Sequence, residues 1–197
     1  WSSDVCSSDL LRQIQSVDRF PFLLLPARIT RRKNIEMAIR ITAALKANGA
    51  QPLLLVTGPP GPHNARSVDY VEELDALGAS LGVREETVML HKLRRNGRRH
   101  WRASDAMMSE LYRVADALLF PSAQEGFGLP ILEAGLARLP IFCANIQPFR
   151  ELGESDVTLF ELDAEPEDVA AQMLASLSHR AESRLRRRVS REFDWDI

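Results

Sequence analysis

Six short apolar runs recur along the chain: FLLLP (22–26), PLLLVTG (52–58), TVML (87–90), ALLFP (117–121), PIFCA (140–144) and VTLF (157–160). Successive side chains of a strand point to opposite faces, so a run that is apolar at every position must be buried on both sides. Between the runs lie longer stretches with the 3.6-residue apolar period of a helix, which supply the crossovers that parallel pairing requires. The alternation predicts an α/β domain: a Rossmann-like three-layer fold whose parallel sheet of about six strands is covered by helices on both faces.

The intervening segments carry helix signals of their own. Asn34 can cap a helix that places Ile35, Ala38, Ile39, Thr42 and Leu45 on one face, and Asn48-Gly49 supplies a left-handed stop. Residues 67–81 form a second helix with Val68, Val71, Leu74 and Leu77 along its buried stripe. A third closes over Leu111–Ala115, a fourth begins near Leu129-Pro130, a fifth runs from Pro166 through Ser178, and the Arg-rich stretch 180–193 reads as a solvated sixth. Neither a second core nor an internal repeat is present.

With 197 residues, 45% hydrophobic and 26% charged, the chain has the size and composition of one soluble globular domain. No apolar run approaches the ~18 residues of a transmembrane segment. A formal charge of −2 excludes the overall basic field of a nucleic-acid binder. The one strongly basic stretch, HKLRRNGRRHWRA (91–103), reads as a solvated, mobile loop, although its place after a strand's carboxyl end puts it near a ligand mouth. Two cysteines, Cys6 and Cys143, suggest neither a disulfide framework nor a thiolate metal site, which fits a reducing, cytoplasmic setting. The opening decapeptide WSSDVCSSDL lacks helical, strand or signal-peptide character. It reads as a non-native, adapter-like segment, which leaves 11–197 as the domain.

EGFGLPILE (125–133) holds two carboxylates eight positions apart, separated by glycines, one proline and apolar side chains. Glu125 falls in the loop after a strand and Glu133 in the opening turns of the following helix. Gly126 and Gly128 let the backbone turn tightly, and the helix start offers unpaired N–H donors with partial positive charge. On spacing alone, two glutamates complementing a helix dipole, at about 0.3–1 kcal/mol each, would explain the pattern. A phosphate-binding turn flanked by hydroxyl-binding carboxylates explains the residues between them as well.

LYRVADALLFPSAQEGFGLPILEAGLARLPIF (111–142) resembles the signature region of the retaining family 4 glycosyltransferases, which have the two-Rossmann-domain GT-B architecture. The resemblance implies the carboxyl-terminal, nucleotide-sugar-binding domain. It assigns Glu133 to the ribose hydroxyls and Glu125 to a hydroxyl of the donor sugar, with the backbone of Gly126, Phe127, Gly128 and Leu129 facing sugar and diphosphate. PARITRRKNIEMAI (26–39) is similar to a second landmark, a glycine-arginine start followed five residues later by lysine. Arg28 and Lys33 would bind the diphosphate and stabilise its departure. The usual glycine is Ala27 here, which adds a Cβ beside the expected ligand path. REFDW (191–195) resembles the family's last landmark.

The implied activity is transfer of a hexose from a nucleotide diphosphate sugar, such as a UDP- or GDP-hexose, to an acceptor, with retention and with neither cofactor nor metal. On this reading the acceptor-binding amino-terminal domain is missing, the chain is a donor-binding half cut at both ends, and alone it transfers no sugar. The resemblance leaves open a non-catalytic nucleotide-sugar-binding or regulatory module of the same fold. Other motifs fail. TGPPGPHN (57–64) has no following Gly-Lys-Ser/Thr and reads as a rigid turn, no G-x-G-x-x-G follows the first strand, and His63, His91, His100 and His179 lack partners at metal spacings. Ser122 lies in no G-x-S-x-G elbow.

Overall fold

The computed structural model describes residues 7–61, 65–95, 99–101 and 103–177. The helix expected over 180–193, the REFDW stretch, His63 and His179 lie outside the described residues. In chain order the elements are α1 (Ser7–Gln13), β1 (Phe22–Leu25), α2 (Ile35–Ala47), β2 (Leu53–Val56), α3 (Ala65–Ser80), β3 (Thr87–Met89), β4 (Arg94–Arg95), β5 (Arg99–His100), α4 (Asp105–Val114), β6 (Ala117–Phe120), α5 (Leu129–Leu136), β7 (Ile141–Ala144), α6 (Gln147–Gly153), β8 (Thr158–Phe160) and α7 (Pro166–Leu177).

All six expected strands form, and they make one parallel sheet in the order β3-β2-β1-β6-β7-β8. The four central strands β2, β1, β6 and β7 are buried at every position, as their unbroken apolar runs require. Helices α2, α3 and α7 pack together as one layer, while α5 packs on α6 and α1 on α4. The result is the three-layer Rossmann-like arrangement.

Local signals explain most boundaries. The five residues expected on the buried face of α2 are fully buried, and Met37, Ile41 and Ala44 join them because both α3 and α7 pack on this helix. Gly49, at φ +82°, ends it with bonds from Gly49 N to Lys46 O and from Ala50 N to Leu45 O. The second helix starts two residues before the expected 67, and Leu74 is buried as expected, while the side chain of Val68 lies outside the described residues. Ser104 caps α4 by accepting from Met107 N at 3.2 Å.

Three expectations need correction. Asn34 occupies the cap position of α2 but makes no side-chain cap bond, because the preceding 3-10 turn, Arg31–Lys33, delivers it in the left-handed region at φ 49°. The opening decapeptide, read as lacking helical character, contributes Ser7–Leu10 to α1, whose Leu10 and Leu11 are fully buried in the core. The stretch 91–103 is not simply a solvated loop: β4 and β5 pair as a short antiparallel hairpin, and Trp101 is only 4% exposed, its Nε1 donating to Gln13 Oε1 at 2.8 Å. The large apolar area of an indole outweighs the surrounding charge in deciding where that segment lies.

Two buried acids hold the sheet's amino-terminal edge. Asp116 Oδ2 accepts from Phe22 N at 2.7 Å, satisfying a donor at the first residue of β1. Glu86 Oε1 accepts from Lys46 Nζ at 2.8 Å and Arg19 Nη1 at 3.3 Å. Burial on its own would raise the Glu86 carboxyl, but the Lys46 and Arg19 cations prevail and hold it below its usual value. Asp116→Ala is expected to reduce the unfolding free energy by about 2 kcal/mol in urea denaturation, since a buried N–H loses its acceptor. A carboxyl with a lowered folded pKa stabilises fully above its unfolded value and loses that contribution as pH falls through the folded value. The melting temperature should accordingly fall more steeply below about pH 4 for the wild type than for Glu86→Gln.

Candidate functional site

The helix following β1 and the helix following β6 leave toward opposite layers, so the loops at these two carboxyl ends diverge and open a crevice. A cleft of about 630 Å³ occupies this edge, lined by the loop after β1 (Ala27, Arg28), the loop after β2 (Thr57, Gly58, Pro59), His91, Trp101 and Ala103 beyond β3, Met108 of α4 and Glu133 of α5. The turn 57–61 thus walls the cleft. Ile29 N donates to Pro59 O and Gly61 N to Ile29 O. Gly58 makes this approach possible, because a Cβ there would lie 2.1 Å from the Ala27 carbonyl oxygen.

The four charged residues singled out in the sequence fall into two pairs. Arg28 and Glu133 line the cleft, both exposed, and Arg28 forms no ion pair with any described residue. Lys33 and Glu125 do not line it. They pair with each other through Lys33 Nζ and Glu125 Oε1, with side chains only 11% and 10% exposed. Lys33 Nζ also lies 5.3 Å from the centroid of the Phe120 ring. A backbone bond from Ala123 N to Arg32 O, 2.8 Å long, fastens the loop after β6 to the loop after β1 and so brings these two side chains together. Arg31 donates from Nη2 to both carboxylate oxygens of Glu73 on α3.

Gly126, Phe127, Gly128 and Leu129 form the turn into α5. Gly128 is at φ +97°, and a Cβ there would come within 3.0 Å of the Phe149 ring, so both conformation and space call for glycine. The N–H groups of these four residues make no hydrogen bond to any described residue. Phe127 and Leu129 are 56% and 59% exposed. Unpaired N–H groups at a helix start form an anion-binding arrangement.

Several groups at the site were not legible in the sequence. Tyr112, on α4, is buried and donates from its hydroxyl to Glu133 Oε2 at 2.6 Å. Burial first, and the Glu133 carboxylate second, push the Tyr112 hydroxyl far above its usual pKa, so it remains a donor across the accessible pH range. Tyr112 lies 21 residues from Glu133 on a different helix, and only the packing of the two helices reveals the pair. His91 is held toward the neutral form, by burial first and by Lys92 second, and its buried Nδ1 lacks a described partner. Among the described residues, no group of three or more His, Cys, Asp or Glu side chains is placed to hold a metal ion. No described helix is long and apolar enough to cross a membrane.

The buried ion pair and the cleft-lining charges should separate in a stability assay. Lys33→Ala strands Glu125 in a nearly buried position and is expected to cost about 3 kcal/mol by chemical denaturation. Arg28→Ala should change the unfolding free energy by less than about 0.5 kcal/mol, since an exposed cation without a partner is removed.

A sequence profile of the family described as Glycosyl transferases group 1 matches residues 8–192. Among curated relatives, the serotype-specific mannosyltransferase WbdA of Escherichia coli is 40% identical over 67 residues, 34% of this chain and 8% of that protein. The uncharacterized glycosyltransferase MJ1607 of Methanocaldococcus jannaschii is 29% identical over 167 residues, 80% of this chain and 37% of that one. The chain thus spans well under half the length of these relatives. Among solved structures, Alr3699/HepE of Anabaena in complex with UDP and glucose superposes with a TM-score of 0.69 at 21% identity, covering 96% of this chain and 47% of that one. The carboxyl-terminal domain of the group 1 glycosyltransferase LpcC of Francisella tularensis superposes with a TM-score of 0.66 at 19% identity, covering 96% of this chain and 88% of that domain. The chain belongs to the glycosyl transferases group 1 family, and its fold is that of one Rossmann-like domain of a GT-B glycosyltransferase.

Proposed function

We propose that this chain is the donor-binding domain of a retaining glycosyltransferase that moves a hexose from a nucleotide diphosphate sugar to an acceptor. The observation that carries the reading is that Arg28 and Glu133, a cation and an acid from opposite sides of the switch point, line one 630 Å³ cleft, while the helix that carries Glu133 begins with four backbone N–H groups that make no hydrogen bond to any described residue. A cleft of this size accommodates a drug-sized ligand. Relatives named as mannosyltransferases and a fold neighbour solved with UDP and glucose both fit a nucleotide-hexose donor.

In this reading Arg28 forks onto the diphosphate, and the N–H groups from Gly126 to Leu129, with the positive end of α5, take up charge that grows on the leaving phosphate. Glu133 accepts from the ribose hydroxyls. Lys33 and Glu125, paired in the structure, exchange partners when donor enters: Lys33 turns to the phosphate and Glu125 to a sugar hydroxyl. The departing phosphate assists deprotonation of the acceptor hydroxyl on the same face, so the step uses no protein nucleophile. The acceptor site belongs to a second domain, and the setting is cytoplasmic, at most peripheral to a membrane.

Calorimetry with UDP, GDP and ADP tests the assignment. At least one should bind the chain, and Glu133→Ala should weaken that nucleotide by roughly tenfold, the loss of a charge-assisted hydrogen bond. Glu125→Ala should change the affinity for a nucleotide lacking sugar by less than about twofold. Equal losses from both substitutions would contradict the separate roles.

A further inference from the structure

We propose that Tyr112 is a positioning residue for the donor site, holding the Glu133 carboxylate in the orientation that receives the ribose; this rests on the donor-site reading above. Glu133 is an exposed side chain midway along a short helix, and an exposed glutamate is free to sample many rotamers. Here it is not free. It stands between two cavities, the donor cleft and a second one of about 380 Å³ between α4 and α5, lined among others by Ser109, Tyr112, Arg113 and Leu136. Tyr112 reaches Glu133 from the side of the second cavity; the residue is only 4% exposed, which restrains its ring, and its hydroxyl donates to Oε2 at 2.6 Å. The other carboxylate oxygen makes no hydrogen bond to any described residue and remains available as an acceptor.

Three observations support a role in orientation as well as packing. The donor is rigid: Tyr112 sits on α4, which Ser104 caps and whose Met107 and Leu111 are buried in the core. The acceptor is mobile by its own chemistry, so one bond removes most of its freedom. The polarity is also useful, because a neutral hydroxyl orients the carboxylate while leaving its negative charge, whereas a cation at the same place would neutralise it. A purely structural tyrosine could have satisfied its hydroxyl on a backbone carbonyl of its own helix layer. This one spends it on a side chain that lines the cleft. Preorganising an acceptor in this way removes an ordering cost from ligand binding.

A double-mutant cycle with Tyr112→Phe and Glu133→Ala tests the proposal on the 197-residue chain, by calorimetry with whichever of UDP, GDP and ADP binds tightest. Tyr112→Phe keeps the ring and removes only the hydroxyl, and thermal unfolding monitored by circular dichroism confirms that each variant is folded. Tyr112→Phe should raise the dissociation constant roughly three- to tenfold with Glu133 present and change it less than about 1.5-fold in the Glu133→Ala background. The same loss in both backgrounds, or no loss in either, overturns the positioning role while leaving the donor site standing. Failure of all three nucleotides to bind the wild type overturns the donor-site reading and this proposal with it.

Discussion

The sheet changes winding direction between β1 and β6, and every element of the candidate site is placed by that change. Strands laid down successively to one side of β1 carry their crossovers on one face, and those laid down beyond β6 carry them on the other. The two central carboxyl ends are left with no helix above them. The loops that fill this gap hold Arg28, Lys33 and Glu125, and α5 starts beside them with Glu133 in its opening turns. The Asp116 bond to the first residue of β1 and the Ala123 bond to Arg32 tie these two strands and their loops together, so the crevice is part of the fold's central seam.

Within the crevice the charges are partitioned by burial. Lys33 and Glu125 are drawn into a nearly dry pair, where each charge needs the other to offset lost hydration. Arg28 and Glu133 stay at the cleft, where solvent and an incoming ligand compete for them. The first pair is thereby part of the folded state's stability, and the second is available for recognition. In the proposed function a diphosphate meets Arg28 first and finds Lys33 engaged with Glu125, so that pair has to exchange partners.

The strands were legible because parallel, two-sided burial leaves no polar positions, so FLLLP, PLLLVTG and ALLFP can be read directly. The glycine at 128 was legible for a similar reason: few residues other than glycine tolerate φ +97° against Phe149. What the sequence concealed were contacts between elements. The charge count around Trp101 suggested a solvated loop, yet the indole's partner is Gln13 on α1, 88 residues away, and no local pattern announces such packing. Asn34 stood at the right position for the wrong reason, since the side-chain bond expected of a cap depends on an extended backbone that the preceding turn does not provide. Tyr112 was hidden inside a recognisable motif, its role visible only when α4 and α5 are seen side by side. Spacing likewise could not show that Lys33 and Glu125 pair with each other while Arg28 and Glu133 line the cleft without pairing.

The account's central claim is that the cleft at this seam receives a nucleoside diphosphate, and a two-dimensional amide NMR titration addresses it most directly. Addition of the tightest-binding nucleoside diphosphate should shift the backbone amides of Gly126, Phe127, Gly128 and Leu129 together with those of Ala27 and Arg28, at one common dissociation constant. Shifts that leave these six amides unmoved while a different surface responds would contradict it.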